Sequence, residues 1–227
     1  MAKALGSNVL HGLPTQLAFK LFAGASQYRL KDGQVLFRAG DVGDGCYRVE
    51  QGLLKIVVAS LQGEERIIAI LGPDAIVGEL SMIDGRPRSA SVVAASDCVL
   101  RFVSRQAFEK CKTDYPEICQ YLMSMLAVRL READEALAAA TFLTVKGRLA
   151  RALLELAEHV GQENEAGRIL LYHKISQGDL AAMAGVAREN VSRTMSEWRR
   201  RDLVTQAQHY YCINDIAALE REMEFEA

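Results

Sequence analysis

The sequence predicts an α+β protein. An N-terminal all-β roll of jelly-roll type is followed by a long helix and a C-terminal winged helix-turn-helix. Three observations predict it. Glycines crowd the stretch from Gly33 to Gly85 and are absent from Arg86 to Lys146. A heptad-spaced apolar row then runs from Cys119 to Ala140. Beyond it, two helical segments joined at a glycine lead into an arginine run, Arg199–Arg201, and a short β-hairpin. The expected division is 1–115 for the roll, 116–143 for the long helix and 144–227 for the winged domain.

Composition sets the limits. The chain has 227 residues, half hydrophobic and a quarter charged, with a formal net charge of −2. That is ordinary for a globular chain and gives no global basic field, so any nucleic-acid binding must use a local patch. The five cysteines are scattered without metal-ligand spacing, which fits reduced thiols in a cytoplasmic protein. No two of the four histidines are close in sequence. The N-terminus lacks a basic start followed by an apolar run, so no leader is expected. No apolar stretch reaches membrane-spanning length, and no membrane partner is expected.

The roll is read from short β-rich runs at Val35–Phe37, Cys46–Glu50, Leu53–Ala59, Arg66–Leu71, Ser89–Ala95 and Cys98–Val103. Glycine-bearing turns such as 39–41 and 42–45 separate them, and this spacing is that of a roll or barrel. Within it, residues 78–92 carry the chemistry: a carboxylate, a guanidinium and small residues around a tight turn. Arg88 can fork onto phosphate oxygens. Glu79 can accept a hydrogen bond from a sugar hydroxyl. Gly78, Ser89 and Ala90 are small enough to let backbone N–H groups approach an anion. Together they suit a ribose cyclic phosphate. The alternative is a surface turn with an Arg–Glu pair between two strands.

After Pro116 the apolar residues Cys119, Met123, Leu126, Leu130, Ala133, Leu137 and Ala140 alternate four and three apart. That is a heptad seam. With charges on the other faces it suits a spine between two copies of the chain, against the alternative of a helix packed on its own roll. Thr144 is placed to cap the next helix, Val145–Val160. The polar Gln162–Gly167 stretch is turn-like, and Arg168–Tyr172 suits a short strand.

Residues Ser176 to Leu203 read as a helix-turn-helix: Leu180 and Ala181 on the first helix, Gly185 at the turn, and Val191 anchoring the second. Thr194 stands where an aliphatic residue is usual, with Met195 beside it. Two runs, 203–205 and Tyr210–Ile213, form a candidate wing. The second helix presents Arg188, Glu189 and, a turn later, Arg193. Arginine is the commonest reader of guanine in the major groove, and glutamate accepts from cytosine N4. Ser192 and the cluster Arg199–Arg201 suit phosphates or helix placement. The alternative is a charged face with i,i+4 pairs Glu189–Arg193 and Glu197–Arg201.

The segment Gly78-Glu79-Leu80 … Pro87-Arg88-Ser89-Ala90 resembles the phosphate-binding cassette of cyclic-nucleotide-binding domains. The run Gly40–Ile56 resembles their β-roll, with its paired turns purely structural. The order of elements resembles the cyclic-AMP receptor/fumarate-nitrate regulator superfamily, and Arg188-Glu189 … Arg193 is similar to the reading helix of its cyclic-AMP receptor branch. The resemblance implies that Glu79 holds the ribose 2′-hydroxyl and that Arg88 and Ser89 hold the cyclic phosphate, with Arg129 near it. It implies a homodimer joined through Met123, Leu126, Leu130, Ala133 and Leu137, bound to double-stranded DNA at a palindromic TGTGA-like operator. Ala133 and Asp134 replace the Thr-Ser pair that contacts adenine in the family. Asp134 can accept from adenine N6 or from guanine N1 and N2. Cyclic AMP is therefore the first expectation and cyclic GMP the alternative. RNA polymerase is an expected partner, with the loop Gln162–Gly167 a candidate face for it.

No cysteine cluster precedes the roll, so an iron–sulfur cluster is not expected. No histidine lies between His11 and His159, so haem is not expected either. A metalloenzyme on a cupin-like roll needs clustered histidines, which are missing, so neither a metal nor catalysis is expected. A further alternative keeps the fold but makes the cassette vestigial, with DNA bound constitutively or in response to another signal.

Overall fold

A computed structural model of the protein describes residues 14–208 and 210–224. His11, His209 and the N-terminal residues read for a leader lie outside the described residues. The described residues divide into two compact units, one of 14–64 and 68–131, the other of 132–224 together with 65–67, so that one boundary falls inside a long helix, between Arg131 and Glu132.

The first unit opens with helix α1, Thr15–Leu21. Strands β1 (Ser26–Leu30), β2 (Val35–Phe37), β3 (Gly45–Gln51), β4 (Leu54–Ala59), β5 (Glu65–Leu71) and β6 (Ile76–Val77) follow. A short helix α2, Glu79–Asp84, interrupts the β run before β7 (Ser91–Ala94) and β8 (Cys98–Ser104). The strands form two four-stranded sheets, ordered β1-β8-β3-β6 and β2-β7-β4-β5, and their assigned pairings are antiparallel. Helix α3 (Arg105–Asp114) and the long helix α4 (Glu117–Phe142), as far as Arg131, complete the unit.

Alternation along the strands sorts side chains between two cores. Cys46 and Val103 are register partners and face a cluster with Leu17, Phe108, Ile118 and Leu122 of the helices. Val49 and Leu100, also partners, point the other way, into a cluster with Leu54, Leu71, Val77 and Val92. On that inner side a row of rings continues the core: Tyr47 lies 4.9 Å from Phe102 and 6.2 Å from Phe37, and Tyr28 lies 5.6 Å from Tyr47.

The second unit is built on helix α5, Val145–Val160. Thr144 caps it, its hydroxyl accepting from the Gly147 amide at 3.1 Å. Strands β9 (Gly161–Glu163), β10 (Ile169–Leu171), β11 (Val204–Ala207) and β12 (Tyr210–Ile213) form a sheet in the order β11-β12-β10-β9. Helices α6 (Gln177–Ala184) and α7 (Arg188–Arg200) lie between β10 and β11, and α8 (Ile216–Arg221) follows. Leu149, Leu153, Leu180, Val191, Met195, Trp198, Tyr211 and Leu219 are buried and form the centre of the unit.

Two expectations are corrected. The segment after Gly78 is helical rather than a simple turn. Gly78 and Gly85 bracket it with left-handed φ of 82° and 76°, a conformation glycine adopts without a Cβ penalty. The Gln162–Gly167 stretch begins as a strand, with the turn confined to its second half. There the Asn164 carboxamide accepts from the Ala166 and Arg168 amides at 3.0 and 3.1 Å.

Candidate effector pocket and DNA-reading face

The cassette is arranged around Arg88, which is buried at 6% exposure. Its backbone is locked to the 40–41 turn: its amide donates to Asp41 at 2.9 Å and its carbonyl accepts from Gly40 at 2.8 Å. One terminal nitrogen donates to the carbonyls of Gly45 (2.9 Å) and Gly78 (2.7 Å). The guanidinium carbon stands 4.3 Å over the Phe37 ring, a cation–π contact. Nε is buried and has no hydrogen-bond partner.

Two glycines make this packing possible. A Cβ at Gly43 would stand 2.6 Å from the Ser81 Cβ and 2.7 Å from Arg88 Nε, and one at Gly78 would collide with the same guanidinium. The paired turns around Gly40–Gly45 were expected to be purely structural. Their structural role includes walling the arginine site. Glycine spacing marked the turns in the sequence but not which side chain they enclose.

Glu79, 2% exposed, opens α2. Its carboxylate pairs with Arg129 of α4, and Arg129 also donates to the Ile76 carbonyl. The Arg88–Glu79 pair weighed above does not form: each has other partners. At the far end of α2, Arg105 Nε donates to the Met82 carbonyl at 2.9 Å, and its other arm reaches the Ser81 carbonyl. Burial, and then the nearby Glu79 charge, push the Cys46 thiol far above its ordinary value, with Arg88 opposing. Cys46 is thus an inert neutral neighbour of the site.

Of the remaining cassette residues, Ala90 is buried while Leu80 and Ser89 are exposed. Asp134 and Ala133 are exposed positions of α4 beyond Arg131 and belong to the other compact unit. Gly78, Glu79, Arg88, Ala90 and Arg129 are brought together within one unit.

This donor set fits a cyclic nucleotide. A buried cation whose hydrogen bonds go to carbonyls, with an orphaned Nε and a glycine cradle, leaves positive charge that an anion would neutralise.

Helix α4 carries two apolar stripes. Ile118, Leu122 and Met125 are buried against the roll. Met123, Leu130 and Leu137 are 63%, 64% and 68% exposed, with Ala133 exposed and Leu126 half-buried.

In the second unit, a capping box starts α6: the Ser176 hydroxyl accepts from the Asp179 amide while Asp179 accepts from Ser176. Gly185, at φ 60°, ends it, with the Val186 amide donating to the Ala181 carbonyl at 3.1 Å. Helix α7 then buries Val191, Thr194, Met195 and Trp198. Thr194 is accommodated inside, and Trp198, which the sequence did not single out, supplies the large anchor. The opposite face leaves Arg188, Glu189, Ser192, Arg193 and Arg199 exposed. Arg193 turns to Asn190 Oδ1 at 3.3 Å and Arg199 to the Ser196 hydroxyl at 3.1 Å. Arg201 departs from the expected phosphate cluster. It pairs with Glu222 at 2.5 Å and Glu197 at 3.4 Å, and Glu197 also pairs with Lys146 at 2.7 Å. That network ties α7 to α5 and the segment after α8.

Comparisons with known proteins find relatives of both parts of the chain. Residues 27–115 match the family model for a cyclic nucleotide-binding domain, and residues 147–222 match that for a Crp-like helix-turn-helix domain. A cyclic AMP receptor protein from Thermus thermophilus is 37% identical, over 84% of this chain and 84% of its own. A CRP-like cAMP-activated global transcriptional regulator from Mycobacterium tuberculosis is 32% identical, over 83% of this chain and 84% of its own. A crystal structure of a CRP/FNR-family transcriptional regulator from Thermus thermophilus superposes with a TM-score of 0.74 at 26% identity, covering 89% of this chain and all of that one.

Proposed function

We propose that this chain, which belongs to the CRP/FNR family of transcription regulators, is a homodimer that gates DNA binding by a cyclic nucleotide. Cyclic AMP is the first candidate, with cyclic GMP as the alternative. The effector module extends to residue 115, the spine covers 116–143 and the reader 144–227. The carrying observation is Arg88: a buried guanidinium held by two carbonyls, with Nε unpaired. In this reading Arg88 meets the cyclic phosphate, with Ser89 beside it, and Glu79 meets the ribose hydroxyl while sharing Arg129. Asp134 is the candidate contact for the base. The names of two relatives, a cyclic AMP receptor and a cAMP-activated regulator, support the choice of nucleotide.

The exposed stripe Met123–Leu130–Leu137 supports a dimer, because exposed leucines at heptad spacing favour burial against a second copy. Two-fold symmetry places two α7 helices in successive major grooves roughly 34–36 Å apart, on a palindrome of TGTGA-like half-sites. Arg188 and Arg193 are the guanine readers, Glu189 the cytosine reader, and Ser192 and Arg199 the phosphate contacts. RNA polymerase is the expected further partner. Five free cysteines support a reducing, cytoplasmic setting, and the chain acts as a regulator without catalysis.

One observation favours a second reading, a vestigial cassette: Glu79 already has a partner in Arg129. Calorimetry with each nucleotide, joined to operator affinity with and without it, separates the two. Binding below millimolar concentration together with tighter operator binding supports the effector reading. Absence of binding by both nucleotides overturns it in favour of the second.

A further inference from the structure

The cassette helix α2 is held at both ends by guanidinium groups from the helices that follow the roll. At its start, Arg129 of α4 engages Glu79. At its end, Arg105, the first residue of α3, donates to the carbonyls of Ser81 and Met82. The Met82 carbonyl is one that a helix terminus leaves without an intrahelical donor, while the Ser81 carbonyl also accepts from the Gly85 amide at 3.0 Å; a cation there also meets the negative end of the helix dipole. The backbone is shaped for this contact. The Arg105 amide donates to the Asp44 carbonyl at 2.5 Å, in the same loop that walls Arg88. A Cβ at Gly85 would stand 2.8 and 3.0 Å from the two terminal nitrogens of Arg105. Gly85 therefore ends α2 in the left-handed region and also leaves room for the guanidinium.

Sequence reading gave Arg105 no role. We infer that Arg105 is a positioning residue for the effector: by fixing the end of α2, it sets where Glu79 presents its carboxylate to the ribose 2′-hydroxyl. The inference rests on the effector reading above and deepens it. Glu79 sits on the first turn of a six-residue helix, so a tilt or slide of the far end moves it directly. At the start of α2, Arg129 grips the same carboxylate that the sugar must share and Arg88 holds the Gly78 carbonyl, whereas Arg105 engages the carbonyls towards the far end. The Arg105 side chain donates to the Ser81 and Met82 carbonyls and not to Glu79, Arg88 or Ser89, and this separates it from the cassette residues proper.

The test is a thermodynamic cycle between Arg105 and the hydroxyl. Cyclic AMP and its 2′-deoxy analogue are titrated by calorimetry into the full-length wild-type, Arg105→Met and Arg105→Lys proteins, with thermal unfolding recorded in parallel. Arg105→Met should weaken cyclic AMP about tenfold and the deoxy analogue at most about twofold, the size of one charge-assisted hydrogen bond misplaced. Arg105→Lys, which keeps one donor, should restore part of the preference. Equal weakening of both ligands, or wild-type affinities in Arg105→Met, overturns the positioning role. A wild-type protein that binds neither ligand overturns the effector reading, and this inference with it.

Discussion

Arg88 shows how much one residue can be asked to do. Its guanidinium closes the 43–45 loop onto the start of α2 and carries the charge proposed to meet phosphate. Arg88→Leu should abolish nucleotide binding in calorimetry. It should also lower stability by about 1–3 kcal/mol, because the Gly45 and Gly78 carbonyls lose their donor. Gly43→Ala leaves the charge but pushes on Nε, so it should weaken nucleotide binding with Arg88 intact. Cys46 gives a second residue-scale prediction. Burial raises its thiol above the ordinary value of 9.0, and burial raises Cys98 and Cys111 as well. Above pH 9.0 the unfolded chain releases protons that the folded chain keeps, so stability is full below that pH and falls as pH rises through it. Denaturant titrations below and above pH 9.0 should show this fall, and Cys46→Ala should reduce it. A flat profile would show that the buried thiols ionise freely in the fold.

At the scale of elements, α4 carries two apolar stripes on one helix. Ile118, Leu122 and Met125 close the roll's outer core, while Met123, Leu130 and Leu137 remain exposed. Leu130→Glu should therefore leave the roll folded and turn the dimer into a monomer in sedimentation; an unchanged dimer would reject the spine. Heptad spacing made the outer stripe legible because its period is regular over three turns of the pattern. The inner stripe, Ile118, Leu122 and Met125, has the same four-and-three spacing but ends after one repeat, too short to stand out beside the longer row. The same contrast runs through the strands. Strands β2, β3, β4, β5, β7 and β8 were legible from short β-rich runs separated by turn residues. Strand β1 was missed because four of its five residues are exposed and polar or aromatic, and β6 because it has two residues. Helix α2 looked like a turn because six residues between two left-handed glycines are too few to show a period. In the cassette, the sequence yielded the residue types and their neighbourhood. The partners, Glu79 with Arg129 and Arg88 with Gly45, depend on which loops the fold brings together, and local spacing does not encode that.

At the scale of the whole molecule, a chain of net charge −2 is proposed to bind a polyanion. The resolution is local. Arg188, Arg193 and Arg199 stand exposed on α7, while Arg201, nominally part of the same cluster, is neutralised by Glu197 and Glu222. Only unpaired arginines release counterions on binding, so the salt slope should count them and not the formal run of three. Arg199→Ala should weaken all sequences alike and reduce the slope of log affinity against log salt by about 1. Arg201→Ala should leave that slope unchanged, and its effect should appear as a small loss of stability instead, since exposed ion pairs contribute about 0–1 kcal/mol each. Arg193→Ala should lose about 1–3 kcal/mol on the preferred operator and relax base choice at one position of each half-site. Binding titrations of these three variants over a salt series, on operator and on scrambled DNA, separate phosphate contact, structural pairing and base reading. An Arg201→Ala slope that falls as far as that of Arg199→Ala would mean that DNA draws Arg201 out of its network, and the division of roles on α7 would have to be redrawn.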